Sequence, residues 1–279
     1  MLTINVAVVS EVRRHPHSDI ARVSAALQRQ AIRDFRPIWN VEATVDWFPK
    51  LEDVPVGYWP ILIQEDINTP GAAGIHLDKD GQPFALVAMS DSWSLTASHE
   101  LLEMLADPFG NRLVPGQSPK PDQGRVEFLV EVCDPSEADQ FAYTVNDILM
   151  SDFYTPQFFD PVKAEGVRYS FTGAITEPRT ILEGGYISWH DPVSNHWWQE
   201  IFFGPEPEFR DLGEFDASAT GMSLRSWIDG QTDHGPIDTG LPKDNRTLMT
   251  AVAAGEQTAE SAGAKADAWR EQISAILKG

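Results

Sequence analysis

Residues 99 to 103 read His-Glu-Leu-Leu-Glu. On an α-helix, His99 and Glu103 lie one turn apart on one face, separated by about 6 Å of rise. An imidazole and a carboxylate at that spacing can converge on one cation, with bonds of roughly 2.0–2.2 Å. Glu100 is rotated by about 100° from His99, which sets it beside such an ion and not on it. A carboxylate there suits a general base that takes a proton from bound water. Leu101, Leu102 and Leu105 point the other way and anchor the helix in a core. The pattern is H-E-x-x-H with glutamate in the last place. An ordinary acidic helix face, with Glu100 and Glu103 in solvent and His99 at the boundary, carries the same letters. The neighbouring sequence has to decide between them.

A third ligand must come from elsewhere. Asp107 repeats the four-residue spacing, but eight residues of helix advance about 12 Å, too far to share an ion with His99. Asp107-Pro108 reads instead as the stop of this helix. In "FLVEVCDP" (128–135), a strand would turn Glu131 and Cys133 to one face and Val130 and Val132 to the other. A carboxylate on so apolar a strand needs a partner or a metal. Asp134, just beyond, could hold the outer nitrogen of His99. Cys133 could supply a thiolate, though a lone buried cysteine more often packs as a small hydrophobe.

The elements that must position these groups are clearly punctuated. Residues 2–10 read as a strand, and Ser18 or Asp19 caps a helix to about Phe35, with Ile20, Val23, Leu27 and Ala31 on one face. Residues 40–48 and 57–66 read as strands, with Pro60 near a sheet edge or a strand start. Asp80-Gly81 closes a hairpin between Ile75–Leu77 and Phe84–Met89, and the His99 helix follows. From 125 onward strands and loops prevail. Residues 204–245 read as an extended loop, with "EPEFRDLGEFD" a solvated acidic stretch. Trp269, Ile273 and Ile276 stand at helical spacing in either a docking helix or a mobile tail.

Composition bounds the partners. The 279 residues are 42% hydrophobic, with nine Trp and fourteen Phe, enough for one or two cores. A net charge of −21 argues against nucleic acid and anionic membrane surfaces as partners. Cys133 is the one cysteine, which excludes a disulfide scaffold. "MLTINVAVVS" has no basic leader and reads as a first strand, and no apolar run is long enough to span a bilayer. A soluble, cytoplasmic protein is the expectation.

The order strand, helix, strand, strand, hairpin, helix, ending in "SHELLEMLADP", resembles the catalytic half of the zincin metallopeptidases. The downstream Glu131 and Asp134 are similar to the glutamate-ligand branch of the thermolysin type. The resemblance covers roughly residues 1–135. It implies His99 and Glu131 as metal ligands, Glu100 as general base, and Asp134 as the residue that orients His99. It also implies an edge strand before the motif helix that pairs with substrate, a place held here by "PFALVAMS". Glu103 stands where the family has its second histidine. One imidazole and two carboxylates make a more anionic site, a weaker Lewis acid, and a tilt from zinc toward manganese or calcium.

The expected fold is therefore α+β. A zincin-like half over 1–135 has a mixed twisted sheet, a backing helix and the HExxE helix. A β-rich half over 136–204 completes a cleft, and 205–279 is a loop-rich extension with a C-terminal helix. The expected activity is peptide-bond hydrolysis of a peptide or protein substrate. His99, Glu103 and Glu131 would hold a divalent ion, most simply Zn2+, and Glu100 would act as base. The rival is a catalytically inactive binding or structural protein, with or without a calcium site of Glu103, Asp107, Glu131 and Asp134. His76 reads as a surface or cross-strand residue. His190 and His196 read as histidines bracketing a turn, or as stabilisers of an oxyanion. Tyr143 and Tyr154 stand open for the same role.

Overall fold

The computed structural model describes residues 2–13, 15–69, 71–232 and, near the C-terminus, 267, 270, 271, 273, 274, 277 and 278. The chain is mixed α+β, with two five-stranded sheets. It divides into two compact units: Met1–Leu101, Thr144–Met150 and Pro242–Gly279 form the first, Leu102–Tyr143 and Ser151–Leu241 the second. Boundaries at 135 and 204, expected from the change in sequence pattern, do not coincide with this division. No helix among the described residues is long and apolar enough to cross a membrane.

The first unit follows the expected element order. Strand β1 (Ile4–Ser10) leads to α1 (His17–Arg29), which runs through a π-helical stretch, Gln30–Phe35, into α2 (Arg36–Trp39). Pro16, and not Ser18 or Asp19, occupies the N-cap, a place where a missing N–H costs nothing. Then come β2 (Ala43–Phe48), β3 (Trp59–Gln64), β4 (Gly74–Lys79), β5 (Gln82–Ala88) and α3 (Trp93–Ala106). The sheet order is β2-β1-β3-β5-β4, parallel except for the antiparallel β4. Asp80 and Gly81 close the β4–β5 hairpin with positive φ at both positions, as a two-residue primed turn requires.

One expectation is corrected here. Residues 84–89 do not form an edge strand: β5 lies between β3 and β4, and β4 is the edge. Of the two places open to Pro60, the strand start is the one it takes, at the beginning of a central strand. One face of the sheet carries Ala7, Val9, Leu62, Ile75, Leu77, Phe84 and Leu86, packed with Leu51, Val54, Ile67 and Ile273. Trp269 and Ile276 lie outside the described residues, but Ile273 is buried in this core.

The second unit holds an antiparallel sheet. Strands β6 (Leu113–Gln117) and β7 (Arg125–Leu129) come first in the chain; the small hairpin of β8 (Tyr143–Val145) and β9 (Ile148–Met150) that follows belongs, from Thr144 on, to the first unit. After it come β10 (Tyr186–Asp191), β11 (His196–Ile201) and β12 (Glu208–Gly213), giving the sheet order β12-β11-β10-β7-β6. The expected loop at 204–245 therefore contains a strand, since β12 pairs with β11. It also contains two short helices, α4 (Ala217–Thr220) and α5 (Leu224–Asp229). Ile228 of α5 packs with Leu129 and Trp197, with Leu212, Phe215, Leu224 and Trp227 around them.

Candidate metal centre

Helix α3 is buried almost all round, as an apolar-rich helix inside a protein should be. Ala97, Leu101, Leu102, Met104 and Leu105 are core residues, but Glu100 and Glu103 are also only 3% and 0% exposed. His99 is half-buried. The acidic-face reading of "HELLE" is thereby overturned, because it requires both glutamates in water.

In the first unit, Glu100 lies against β4. Its Oε2 stands 3.5 Å from Nδ1 of His76. Gly74 makes room for it: a Cβ there would meet Glu100 Oε1 at 2.5 Å and Thr96 Cγ2 at 2.6 Å. Strand alternation puts Gly74 and His76 on the face opposite Ile75 and Leu77, which belong to the core cluster. His76 does pair across the strands with Ala85, but it is fully buried and no surface residue. Period-two reading of "GIHLDK" was the signal for it. A histidine sharing a face with glycine under a helix is placed to meet that helix.

In the second unit, one oxygen each of Glu103, Glu131 and Asp134 lie within 4.8 Å of one another. All three residues are at most 2% exposed. Glu131 and Cys133 are not on a strand, contrary to expectation. β7 ends at Leu129, and Asp134-Pro135 turns the chain into a 3-10 segment, Asp134–Ser136. This buried loop is held by backbone bonds: Val130 N–H to Arg112 O at 2.9 Å, and Tyr154 N–H to Val132 O at 2.7 Å. The Cys133 N–H donates to Glu103 Oε1 at 3.2 Å, which ties the loop to α3.

A cation that sequence reading missed stands among these carboxylates. Arg225 of α5 is 5% exposed. Its Nη2 lies 3.4 Å from Glu103 Oε2, its Nη1 contacts Glu131 Oε2 and stands 3.6 Å from Asp134 Oδ2. Its Nε pairs with Asp229 at 3.0 Å, one turn on. The signal was present in "SLRSWID": Ser223 caps Ser226 N–H, and Arg225 and Asp229 stand at i,i+4. Around the cluster, Tyr154 and Tyr186 are buried and held well above the ordinary tyrosine range. Burial is the larger cause, followed by the charge of Glu103 for Tyr154 and of Asp134 for Tyr186. Both hydroxyls stay protonated at neutral pH.

The remaining candidates are placed elsewhere. Asp107 accepts the Arg112 N–H at 2.7 Å, while Arg112 Nη1 donates to Ala106 O at 2.9 Å. Asp107 stops the helix, as read, and joins no metal-holding group among the described residues. His190 pairs with Glu127 at 3.2 Å and His196 with Asp211 at 2.9 Å, on the two strands of a hairpin. Tyr143 packs on Phe171.

The donor set suits a divalent ion. Three buried carboxylates face one guanidinium, an excess of two negative charges when all are ionised. Glu131 Oε1 has no hydrogen-bond partner among the described residues. Burying like charges side by side costs several kcal/mol per group, which favours a proton or a further cation among them. Comparison with protein-family models, curated proteins and solved structures finds no match to this chain. Geometry and chemistry carry the functional reading.

Proposed function

We propose that this chain is a zincin-like metal-dependent hydrolase acting on peptide bonds. The observation that carries the reading is the buried carboxylate excess at Glu103, Glu131 and Asp134. It adjoins a helix whose His99 stands one turn before Glu103. His99, Glu103 and Glu131 would hold the ion, most simply Zn2+, with Mn2+ or Ca2+ favoured as oxygen donors increase. Bound there, the metal would supply Lewis acidity and lower the pKa of water. Glu100 takes the proton on its carboxylate and returns it to the leaving amine. Gly74 and His76 hold that carboxylate against β4. The outer edge of β4, which no other strand covers among the described residues, and not residues 84–89, is the edge that would pair with a substrate backbone. Support also comes from the element order of residues 4–106, which has every strand and helix of the resemblance in sequence.

One observation favours a second reading. Arg225 contacts all three carboxylates, so the chain holds an internal cation where an ion would sit. A catalytically inactive protein in which Arg225 replaces the metal has the same contacts.

Metal content by elemental mass spectrometry on tag-free protein separates the two. The hydrolase reading expects near-stoichiometric zinc or manganese, lost in His99→Ala and Glu131→Ala. It also expects cleavage of a peptide library that Glu100→Gln abolishes while keeping the metal. No transition metal, even after reconstitution, leaves the Arg225-filled site as the function-neutral core of a binding protein.

A further inference from the structure

We infer that Arg225 is a tethered competitor for the metal, an arm on α5 that occupies the carboxylates until an ion displaces it. The inference rests on the metal-centre reading above and concerns its regulation. Arg225 lies between the very oxygens an ion would take. Its Nη1 contacts Glu131 and faces Asp134 at 3.6 Å, and its Nη2 faces Glu103 at 3.4 Å. A divalent ion bonds carboxylate oxygens at about 2.0–2.2 Å. A guanidinium and an ion cannot both fill the space among three carboxylates at that range.

Exchange is favoured by charge. With the Arg225–Asp229 pair in place, four carboxylates against one guanidinium make an excess of three negative charges when all are ionised, and a divalent ion in place of that pair leaves an excess of one. Arg225 does not leave alone, because Asp229 pairs with its Nε at 3.0 Å from the same helix. The two form a neutral unit that carries its own counter-ion outward. The arm is short and locally built: α5 spans Leu224–Asp229 and is capped by Ser223. Its seat is fitted to it. Gly110 adopts φ +58°, and a Cβ there would lie 2.6 Å from the Arg225 Cβ. Glycine is therefore required where Arg225 enters.

The test is titration of Zn2+ and of Mn2+ into the wild-type chain, Arg225→Gln and Arg225→Lys by calorimetry. It is paired with hydrogen exchange of the wild type with and without each ion. Arg225→Gln is expected to bind at least tenfold more tightly, with Arg225→Lys between, and ion binding is expected to speed exchange of the α5 amides in the wild type. A Gln variant that folds only with metal present supports the inference equally. Equal or weaker binding by Arg225→Gln, or unchanged α5 exchange in metal-loaded wild type where that variant will not fold, overturns it while the metal centre stands. Failure of both wild type and Arg225→Gln to bind either ion overturns the metal centre itself.

Discussion

Glu200 on β11 stands across from Ile187 on β10 and Phe209 on β12. Burial among these neighbours pushes its carboxyl from 4.5 up to about 7. A raised folded pKa means that the native chain binds the proton more tightly than the unfolded chain does. The stabilising contribution is complete below pH 4.5 and disappears as pH rises through 7. Over that window the wild type should lose up to about 1.4 kcal/mol per pH unit from this group. Glu200→Gln removes the dependence. Urea denaturation of both proteins from pH 5 to 8 checks it: the variant should gain on the wild type as pH rises, and a constant difference refutes the assignment. Glu200 was invisible to sequence reading because alternation puts it on the half-exposed face of β11, where a glutamate is ordinary. Its neighbours come from two other strands, at register positions that no local pattern encodes.

At the scale of elements, the packing of α3 on β4 depends on a missing side chain. Gly74→Ala would drive a Cβ within 2.5 Å of Glu100 Oε1 and 2.6 Å of Thr96 Cγ2. Overpacking of this kind costs roughly 1–3 kcal/mol. If Glu100 is the group that must move, Glu100→Ala should recover part of that loss. A double-mutant cycle by chemical denaturation is expected to show a coupling of about 0.5–3 kcal/mol. Additive losses would mean that Thr96 alone takes the clash. The strands and helices of residues 4–106 were legible because each has local marks: β-branched runs, the Asp80-Gly81 turn, the Asp107-Pro108 stop. Which strand forms the sheet edge was not. Edge or centre depends on β4 folding back outside β5, and turn chemistry specifies the hairpin without saying on which side it lies. Likewise, Glu103 and Glu131 were legible by spacing and by the oddity of an acid among valines. For Arg225 only the pairing with Asp229 was legible, by its i,i+4 spacing; its other acid partners, Asp134, Glu131 and Glu103, lie 91, 94 and 122 residues away in sequence, and only the fold brings them together.

At the scale of the molecule, the end of the chain contributes to its beginning. Ile273 is 5% exposed and packs with Val9, Leu62 and Leu86 among others, in the core beneath the first sheet. Arg270 reinforces the attachment, with Nη2 3.0 Å from Glu52 and Nε 3.7 Å from Glu11. Both pairs are solvent-accessible, so they add little at physiological salt. Of the two readings of the C-terminal sequence, the burial of Ile273 supports the docking segment over the mobile tail. With a formal charge of −21, self-repulsion works against any compact arrangement. Apolar burial is then what keeps residue 273 in the core. Ile273→Ala should cost about 2–4 kcal/mol, the range for a large-to-alanine change in a packed core. The ionic contacts alone predict a different pattern: near-neutral Ile273→Ala, and a loss with Arg270→Ala that vanishes in 0.5 M salt. Urea titrations of both variants at low and high salt distinguish them. A cost below about 0.5 kcal/mol for Ile273→Ala would place it with ordinary surface substitutions and remove the terminal segment from the core.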